Sequence, residues 1–141
     1  LKEGVVTLSL HPEYQNDFNL NVKTITKEAL LKQSDFISLH IPGGQGYVLD
    51  QSEFDLMKDG VGIVNCARGG TICEDALINA INAGKVGYAA TDVFENEPPR
   101  DERILRMDEV GLSPHIGAST KEAQERVGVQ LAEQIIAYFS K

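Results

Sequence analysis

The sequence predicts an α/β fold, a doubly wound parallel sheet with helices on its faces. Short apolar runs rich in β-branched residues alternate along the 141-residue chain with stretches whose apolar residues recur at helical spacing. Glycine, proline and helix-capping residues separate the two kinds of segment. Strands that alternate with helices are joined by right-handed crossovers and pair in one direction. A chain of this length fits a single domain.

The predicted strands are short apolar runs that end at turn or breaker residues. They cover residues 5–10, 36–39, 61–65, 86–91 and 110–112. His11 and Pro12 end the first run, and residues 13–21 after it are polar and predicted to be turn-like. Pro98 and Pro99 prevent the fourth run from continuing as a central strand or as a helix.

The predicted helices begin at capping residues and carry an apolar face. Thr26 caps a helix over residues 27–33, and a single helical turn is predicted within residues 101–107. Capping boxes are predicted from Asp50 and Glu53, from Thr71 and Glu74, and from Ser119 and Glu122. The last helix starts at Thr120 and has apolar residues at intervals of four: Ala123, Val127, Leu131, Ile135 and Phe139.

The composition argues against several classes of protein. The chain has 21 acidic and 13 basic residues, a formal net charge of −8 and no basic run, so a nucleic acid or an anionic membrane would be attracted only weakly. Its apolar runs are strand-sized, whereas a membrane span needs about 18 apolar residues. Cys66 and Cys73 have no metal-ligand spacing, so no metal site is predicted. We interpret them as reduced thiols of a cytoplasmic protein.

Polar residues follow the ends of four predicted strands. They are His40, Cys66, Asp92 and His115. The carboxyl ends of parallel strands meet at one edge of a sheet, and α/β folds bind their ligands in the crevice outside that edge. We therefore expect these side chains to lie around one crevice.

Arg68, Glu97 and His115 form a set that suits the reduction of a 2-oxo acid. An arginine binds a carboxylate through a fork of donors, a histidine exchanges a proton near neutral pH, and a neighbouring carboxylate favours the charged imidazole. Simpler interpretations exist: Arg68 as a surface partner of an acid, His115 as a structural histidine, Glu97 as a solvated loop acid and Asp92 as a turn cap. Spacing alone favours a nucleotide-binding enzyme and leaves the reaction open.

Three motifs carry a resemblance to a known family. They are residues 65–70 (NCARGG), 90–98 (ATDVFENEP) and 113–124 (SPHIGASTKEAQ). They closely resemble the cofactor-domain motifs of D-isomer-specific 2-hydroxyacid dehydrogenases, and the last is most similar to the phosphoglycerate dehydrogenase branch. Residues 34–42 and 57–60 extend the resemblance in the same order along the chain, which makes it specific. It implies a Rossmann-like fold, incomplete on its N-terminal side, and NAD as the cofactor.

The resemblance also implies roles for individual residues. Arg68, Glu97 and His115 match the family's catalytic set, and Asp92 matches the aspartate that meets the nicotinamide carboxamide. The residues implied to bind the cofactor are His40, Ile41, Pro42, Cys66, Ala67, Arg68, Asp92, His115, Gly117 and Ala118.

Two departures from the family pattern shape the expectations. The Gly-x-Gly-x-x-Gly turn, whose amides bind the pyrophosphate, does not occur in this sequence. We therefore expect residues 1–141 to form part of an NAD-binding domain and to be inactive alone, with residues 119–141 a long helix leading back toward a substrate domain outside this sequence. His11 stands where the family usually has the Asp that binds the ribose hydroxyls, so NADP remains an alternative.

The reaction implied by the resemblance interconverts a D-2-hydroxy acid and its 2-oxo acid. The leading pair is 3-phosphoglycerate and 3-phosphohydroxypyruvate, the first step of serine biosynthesis. One alternative is a reductase of the glycerate or glyoxylate type. The other is a dinucleotide-sensing, corepressor-like binding module. The resemblance also implies a homodimer or homotetramer.

Overall fold

A computed structural model describes the backbone of residues 3–8 and 18–140 and the side chains of residues 24–140. Its strands are β1 (Glu3–Leu8), β2 (Phe18–Lys23), β3 (Phe36–Leu39), β4 (Val61–Asn65), β5 (Val86–Thr91) and β6 (Val110–Leu112). Its helices are α1 (Lys27–Gln33), α2 (Gln51–Leu56), α3 (Glu74–Asn82), α4 (Glu102–Leu105) and α5 (Lys121–Phe139). Within these ranges, none of the helices combines the length and the apolar character that crossing a membrane requires.

Four strands form a parallel sheet in the order β3-β4-β5-β6. The spatial order follows the chain, so every connection steps across the sheet in the same direction. Right-handed crossovers then place α2, α3 and α4 on the same face of the sheet. The predicted α/β parallel-sheet fold class is confirmed, and these four strands coincide with the predicted ones.

The hydrophobic core lies between the sheet and this layer of helices. One row of paired residues crosses all four strands, and its members are between 2% and 7% exposed: Ile37, Ile63, Ala89 and Val110. Each of the four shorter helices adds a side chain that is at most 3% exposed: Leu31, Phe54, Leu77 and Ile104. Burying one such side chain stabilises the fold by about 1.5–3 kcal/mol, so the core fixes where each strand ends.

The opposite face of the sheet and the last helix are open in the described part of the chain. Phe36, Gly62 and Tyr88 are neighbours across β3, β4 and β5. Phe36 is 80% exposed and Tyr88 is 72% exposed. Helix α5 has no buried residue. Four of the five apolar side chains predicted to form its face are between 50% and 81% exposed: Val127, Leu131, Ile135 and Phe139.

The N-terminal strands differ from the prediction. The first run was expected to join the parallel sheet, but β1 instead pairs antiparallel with β2 in a separate two-stranded sheet. Part of β2 was predicted to be turn-like, and the strand itself was missed. Its sequence, FNLNVK, alternates apolar and polar residues as a strand does, but its two asparagines favour turns. His11, on which the NADP alternative depends, lies outside the described residues.

The helix caps are partly as predicted. Thr26 caps α1, and Asp50 with Glu53 forms a complete capping box at α2. The box predicted from Thr71 and Glu74 is wrong, because α3 starts at Glu74 and its N-cap, Cys73, makes no side-chain cap. The box predicted from Ser119 and Glu122 is also wrong, because Thr120 is the N-cap of α5 and its side chain accepts from the Ala123 N–H. The Thr71 and Glu74 side chains instead form hydrogen bonds around the candidate site described below.

Candidate active site

The carboxyl ends of the parallel strands deliver the predicted site residues to one edge of the sheet. β3 ends at Leu39, β4 at Asn65 and β5 at Thr91, so His40, Cys66 and Asp92 each follow a strand directly. His115 lies in the loop between β6 and α5. His40 is exposed, and its Nε2 atom lies 2.8 Å from Ser38 Oγ.

Arg68 lies in a loop whose conformation is held by two buried polar residues, Asn65 and Thr71. Asn65 is 4% exposed and its Oδ1 atom accepts a hydrogen bond from the Ala67 N–H at 3.2 Å. Thr71, 1% exposed, donates from Oγ1 to the Arg68 carbonyl at 2.7 Å. The Asn65 side-chain amide also donates to Thr71 Oγ1 at 3.2 Å. The loop is therefore tied at both ends.

The Arg68 side chain remains available at the surface of this loop. Arg68 is exposed, and its Nη1 atom donates to the Ala67 carbonyl at 2.6 Å. Among the described residues it forms no ion pair with an acid, so the interpretation of Arg68 as the surface partner of an acid finds no support there. The remaining donors of the guanidinium are free to bind an anion.

Glu97 and His115 form a hydrogen-bonded pair at the other side of the crevice. His115 Nδ1 lies 2.7 Å from Glu97 Oε2, and Glu97 Oε1 accepts from the Phe94 N–H at 3.2 Å. The hydrogen bond from His115, followed by that from Phe94, lowers the pKa of Glu97. An ionised carboxylate only accepts, so Nδ1 carries the hydrogen that it donates. Nε2 is thereby left as the imidazole nitrogen that can exchange a proton with a ligand.

Asp92 holds the loop that carries His115. Its Oδ1 atom accepts from Ser113 Oγ at 2.6 Å and from the Ile116 N–H at 2.9 Å, and its Oδ2 atom accepts from the Gly117 N–H at 2.9 Å. The hydrogen bond from Ser113 is the largest cause of the lowered pKa of Asp92, and the backbone donors add to it. Asp92 is 5% exposed, so this carboxylate is a buried fastening between β5 and the His115 loop.

The three residues predicted to carry the chemistry line one open cavity of about 530 Å³. Its lining in the described chain is Gly43, Gly44, Arg68, Gly69, Phe94, Glu95, Glu97 and His115. His40, Ile41, Pro42, Cys66, Ala67, Asp92, Gly117 and Ala118, predicted to bind the cofactor, do not line this cavity. A second cavity of about 370 Å³ shares Glu95 and Glu97 with the first and is bordered by several acids.

The edge of the sheet fits an NAD molecule. A carboxylate has about four acceptor positions, and Ser113, Ile116 and Gly117 use three of those on Asp92. One position on Oδ2 is left for a carboxamide N–H. Gly117 lies close against Asp92, because a Cβ atom at this position would be 3.2 Å from Oδ2. The backbone at Gly117 thus packs directly against Asp92 at the end of β5.

Several residues that shape this site were not predicted. Glu95 and Gly69 line the cavity, Ser113 bonds Asp92, and Asn65 with Thr71 folds the Arg68 loop. A signal existed for Asn65, because a polar residue in an otherwise apolar strand needs a buried partner. No local pattern identified Glu95, whose partners lie on other segments.

The sequence and the fold of this chain match known proteins. Residues 4–117 match the family described as D-isomer specific 2-hydroxyacid dehydrogenase, NAD binding domain. A hydroxypyruvate reductase from Thermotoga maritima is 50% identical over 122 residues, which cover 83% of this chain and 40% of that protein. A D-3-phosphoglycerate dehydrogenase from Archaeoglobus fulgidus is 47% identical over 120 residues, which cover 83% of this chain and 23% of that protein. The chain thus spans less than half the length of either relative.

A solved structure gives the same result for the fold. The D-lactate dehydrogenase of Aquifex aeolicus, determined with NAD and lactic acid, matches with a TM-score of 0.70 and 32% identity, over 82% of this chain and 40% of that chain. The match to the family covers far more than half of the 141 residues. The chain belongs to the D-isomer specific 2-hydroxyacid dehydrogenase family, and it contributes the NAD-binding domain.

Proposed function

We propose that the full-length protein containing this chain is an NAD-dependent oxidoreductase that interconverts a D-2-hydroxy acid and its 2-oxo acid. The observation that carries the proposal is the 2.7 Å contact between His115 Nδ1 and Glu97 Oε2, on a cavity that Arg68 also lines. A proton donor fixed by a carboxylate and a guanidinium for a substrate carboxylate are the two groups that this reduction requires.

The residues act in the following way in the direction of reduction. Arg68 binds the substrate carboxylate through its free guanidinium donors and turns the carbonyl group toward His115. NAD in its reduced form would supply the hydride to the carbonyl carbon. His115 donates the proton of Nε2 to the carbonyl oxygen and becomes neutral, while Glu97 keeps the ring oriented through Nδ1. In the oxidative direction, His115 takes the hydroxyl proton back.

The substrate that we place first is 3-phosphoglycerate, with 3-phosphohydroxypyruvate as its 2-oxo partner. Support comes from the name of the Archaeoglobus relative and from the motif around His115. This reaction would make the protein the first enzyme of serine biosynthesis. Asp92, Cys66 and the loop that starts at His40 are proposed to contact the cofactor along the strand ends.

The charges of the residues that line the cavity favour a second substrate class, 2-oxo acids without a phosphate. Among the described residues that line it, Arg68 is the side chain with a permanent positive charge, and the others include Glu95 and Glu97. A phosphate would need further cations from elsewhere in the full-length protein. The Thermotoga relative, a hydroxypyruvate reductase, belongs to this smaller substrate class.

The deciding experiment is NADH oxidation by the full-length protein with a panel of 2-oxo acids. We expect the highest kcat/KM for 3-phosphohydroxypyruvate, with hydroxypyruvate and glyoxylate as the competing substrates. Higher kcat/KM for an unphosphorylated acid would assign the second class. Tight NADH binding without turnover of any acid would overturn the proposal in favour of a dinucleotide-sensing binding module.

The compartment and the assembly are also proposed. The free thiols Cys66 and Cys73 suit a reducing compartment, and we propose the cytoplasm. A homodimer or homotetramer is proposed from family membership, and sedimentation of the full-length protein would measure it.

A further inference from the structure

Glu95 joins the loop that carries Glu97 to the start of α3. The Glu95 N–H donates to Glu74 Oε1 at 2.7 Å, and the Glu74 N–H donates to Glu95 Oε1 at 2.8 Å. The two residues thus close a reciprocal pair of hydrogen bonds between segments 21 positions apart in sequence. The Glu74 side chain therefore accepts a hydrogen bond from Glu95 instead of capping its own helix.

A third segment meets Glu95 from the other side. A side-chain hydrogen bond to Glu95 is the main cause of the raised pKa of Tyr47. Tyr47 leads into Leu49, which forms a parallel bridge with Ile72 beside the Arg68 loop. Glu95 therefore joins its own loop, after β5, to two other segments: the one before α2 and the start of α3.

Packing does little to fix this loop. Residues 95–98 are exposed, and Glu95 and Glu97 line both the cavity of about 530 Å³ and the cavity of about 370 Å³. Only its beginning is buried, at Phe94, which is 5% exposed. There the Arg68 loop lies directly against it, because a Cβ atom on Gly69 would be 1.9 Å from the Phe94 carbonyl oxygen. Hydrogen bonds must therefore hold residues 95–98 in place, because packing does not.

The position of Glu97 depends on this loop. Its Oε1 atom accepts from the Phe94 N–H, the residue directly before Glu95, and its Oε2 atom meets His115. A displacement of Glu95 would therefore move both the donor and the backbone that place the Glu97 carboxylate. Misplacement of a reacting group by about 1 Å can lower a rate by roughly a hundredfold.

We propose that Glu95 is a positioning residue, which holds the Glu97 carboxylate against His115 by fastening the loop to Glu74 and Tyr47. This inference rests on the proposed function. Glu95 acts as an acceptor in this role, and its charge is not needed. Burial, and after it the charges of nearby acids including Glu95, raises the pKa of Glu74, so a neutral acceptor would suit the pair equally well.

The test compares Glu95→Ala with Glu95→Gln in the full-length protein. Glutamine keeps the side-chain oxygen that accepts from Glu74, whereas alanine removes it. We expect Glu95→Ala to lower kcat by about tenfold to a hundredfold with little change in the KM for NADH. We expect Glu95→Gln to stay close to the wild-type rate. Glu109→Ala is the control, because Glu109 is exposed and its side chain makes no bond within the described chain.

A readout without turnover separates this inference from the proposed function. The carboxyl carbon of Glu97, assigned by its loss in Glu97→Gln, can be followed by NMR across acidic pH. In Glu95→Ala we expect the pKa of Glu97 to rise toward its ordinary value, because its hydrogen bond to His115 is weakened. In Glu95→Gln and in Glu109→Ala we expect the wild-type value. An unchanged Glu97 titration in a folded Glu95→Ala variant would overturn the positioning role, whether or not the wild type turns over any 2-oxo acid.

Discussion

His115 is held in a backbone conformation that is costly for its residue type. Its φ angle is 54°, in the left-handed region, which costs roughly 1–2 kcal/mol for a residue with a Cβ atom. Asp92 stabilises this conformation by accepting from Ile116 and Gly117, the two residues that follow. Strained residues persist where the surroundings fix them, and they cluster at functional sites. The buried Asp92 carboxylate is what fixes this one.

Replacing Asp92 by Asn should therefore loosen the His115 loop. An amide has one acceptor oxygen, so at least one of the three donors that Asp92 satisfies would lose its partner. We expect the free energy of unfolding at neutral pH to fall by about 1–3 kcal/mol, measured by urea titration. Asp108→Asn is the matched control, because the Asp108 side chain is exposed and makes no bond within the described chain. Equal stability of the two variants would contradict the fastening role.

The same carboxylate gives a pH dependence with a definite sign. The pKa of Asp92 is lowered from its ordinary value of 3.8 in the folded chain, chiefly by Ser113. Its contribution to stability is therefore present above pH 3.8 and is lost as the pH falls through the lower folded-state pKa. We expect the difference in stability between the wild type and Asp92→Asn to be constant near neutrality and to shrink below pH 3.8. A difference that grows on acidification would contradict this assignment.

His115→Ala and Glu97→Gln test the proposed proton transfer in the full-length protein. General acid–base catalysis contributes about two to four orders of magnitude, so each change should lower kcat within that range. The dissociation constant of NADH should change little, because both groups are assigned to proton transfer. Glu109→Gln serves as the control for the charge lost at Glu97. Parallel losses of kcat and NADH affinity would indicate a structural role instead.

At the scale of the elements, sequence patterns predicted the helix caps that depend only on interactions within one turn. Thr26 and Asp50 cap the helices that follow them, because a cap needs only its own first turn. Thr71 and Glu74 have the same spacing, but their side chains bond the Arg68 carbonyl and the Glu95 N–H. Both of those partners belong to other turns of the chain, so tertiary contacts overrode the cap. Strand β2 was missed because its asparagines obscured its alternation.

Helix α5 shows an apolar face with nothing packed on it in the described chain. Leu131 is 56% exposed and Ile135 is 50% exposed, although their spacing is that of a helix against a core. We propose that in the full-length protein this helix leads back to the substrate domain and packs there. Its apolar face would then be buried by residues outside this sequence.

Paired leucine substitutions test where the helices are buried. Leu77 in α3 is 3% exposed, so Leu77→Ala should cost about 2–5 kcal/mol of unfolding free energy. In the 141-residue chain, Leu131→Ala should change stability by less than about 0.5 kcal/mol, because Leu131 is largely exposed. In the full-length protein we expect Leu131→Ala to become clearly destabilising. Thermal unfolding of both variants in both proteins measures this, and a silent Leu131→Ala in the full-length protein would contradict the packing of α5.

At the scale of the whole molecule, the parallel sheet places the segments that follow its strands at one edge. Arg68, Glu97 and His115 come from three segments, and the parallel sheet brings all three to one cavity. The bond between Glu97 and His115 fits the chemistry assigned to that pair. The hydrogen bonds that hold the loops together could not be predicted from the sequence. Glu95 meets Glu74, for example, only once β5 and α3 are packed side by side.

We expect the 141-residue chain to hold its site residues in place but to lack catalytic activity. Its sequence has no glycine-rich phosphate-binding turn, and a helix N-terminus of that kind stabilises an anion by up to about 2 kcal/mol, or more than tenfold in affinity. We expect the 141-residue chain to bind NADH about tenfold more weakly than the full-length protein and not to oxidise NADH with 3-phosphohydroxypyruvate. Calorimetry and absorbance at matched concentrations measure the two effects. The Glu97 titration should be the same in both proteins, because its partners, His115 and Phe94, lie within this chain. Turnover by the 141-residue chain at the full-length rate would show that residues 1–141 already suffice for the reaction.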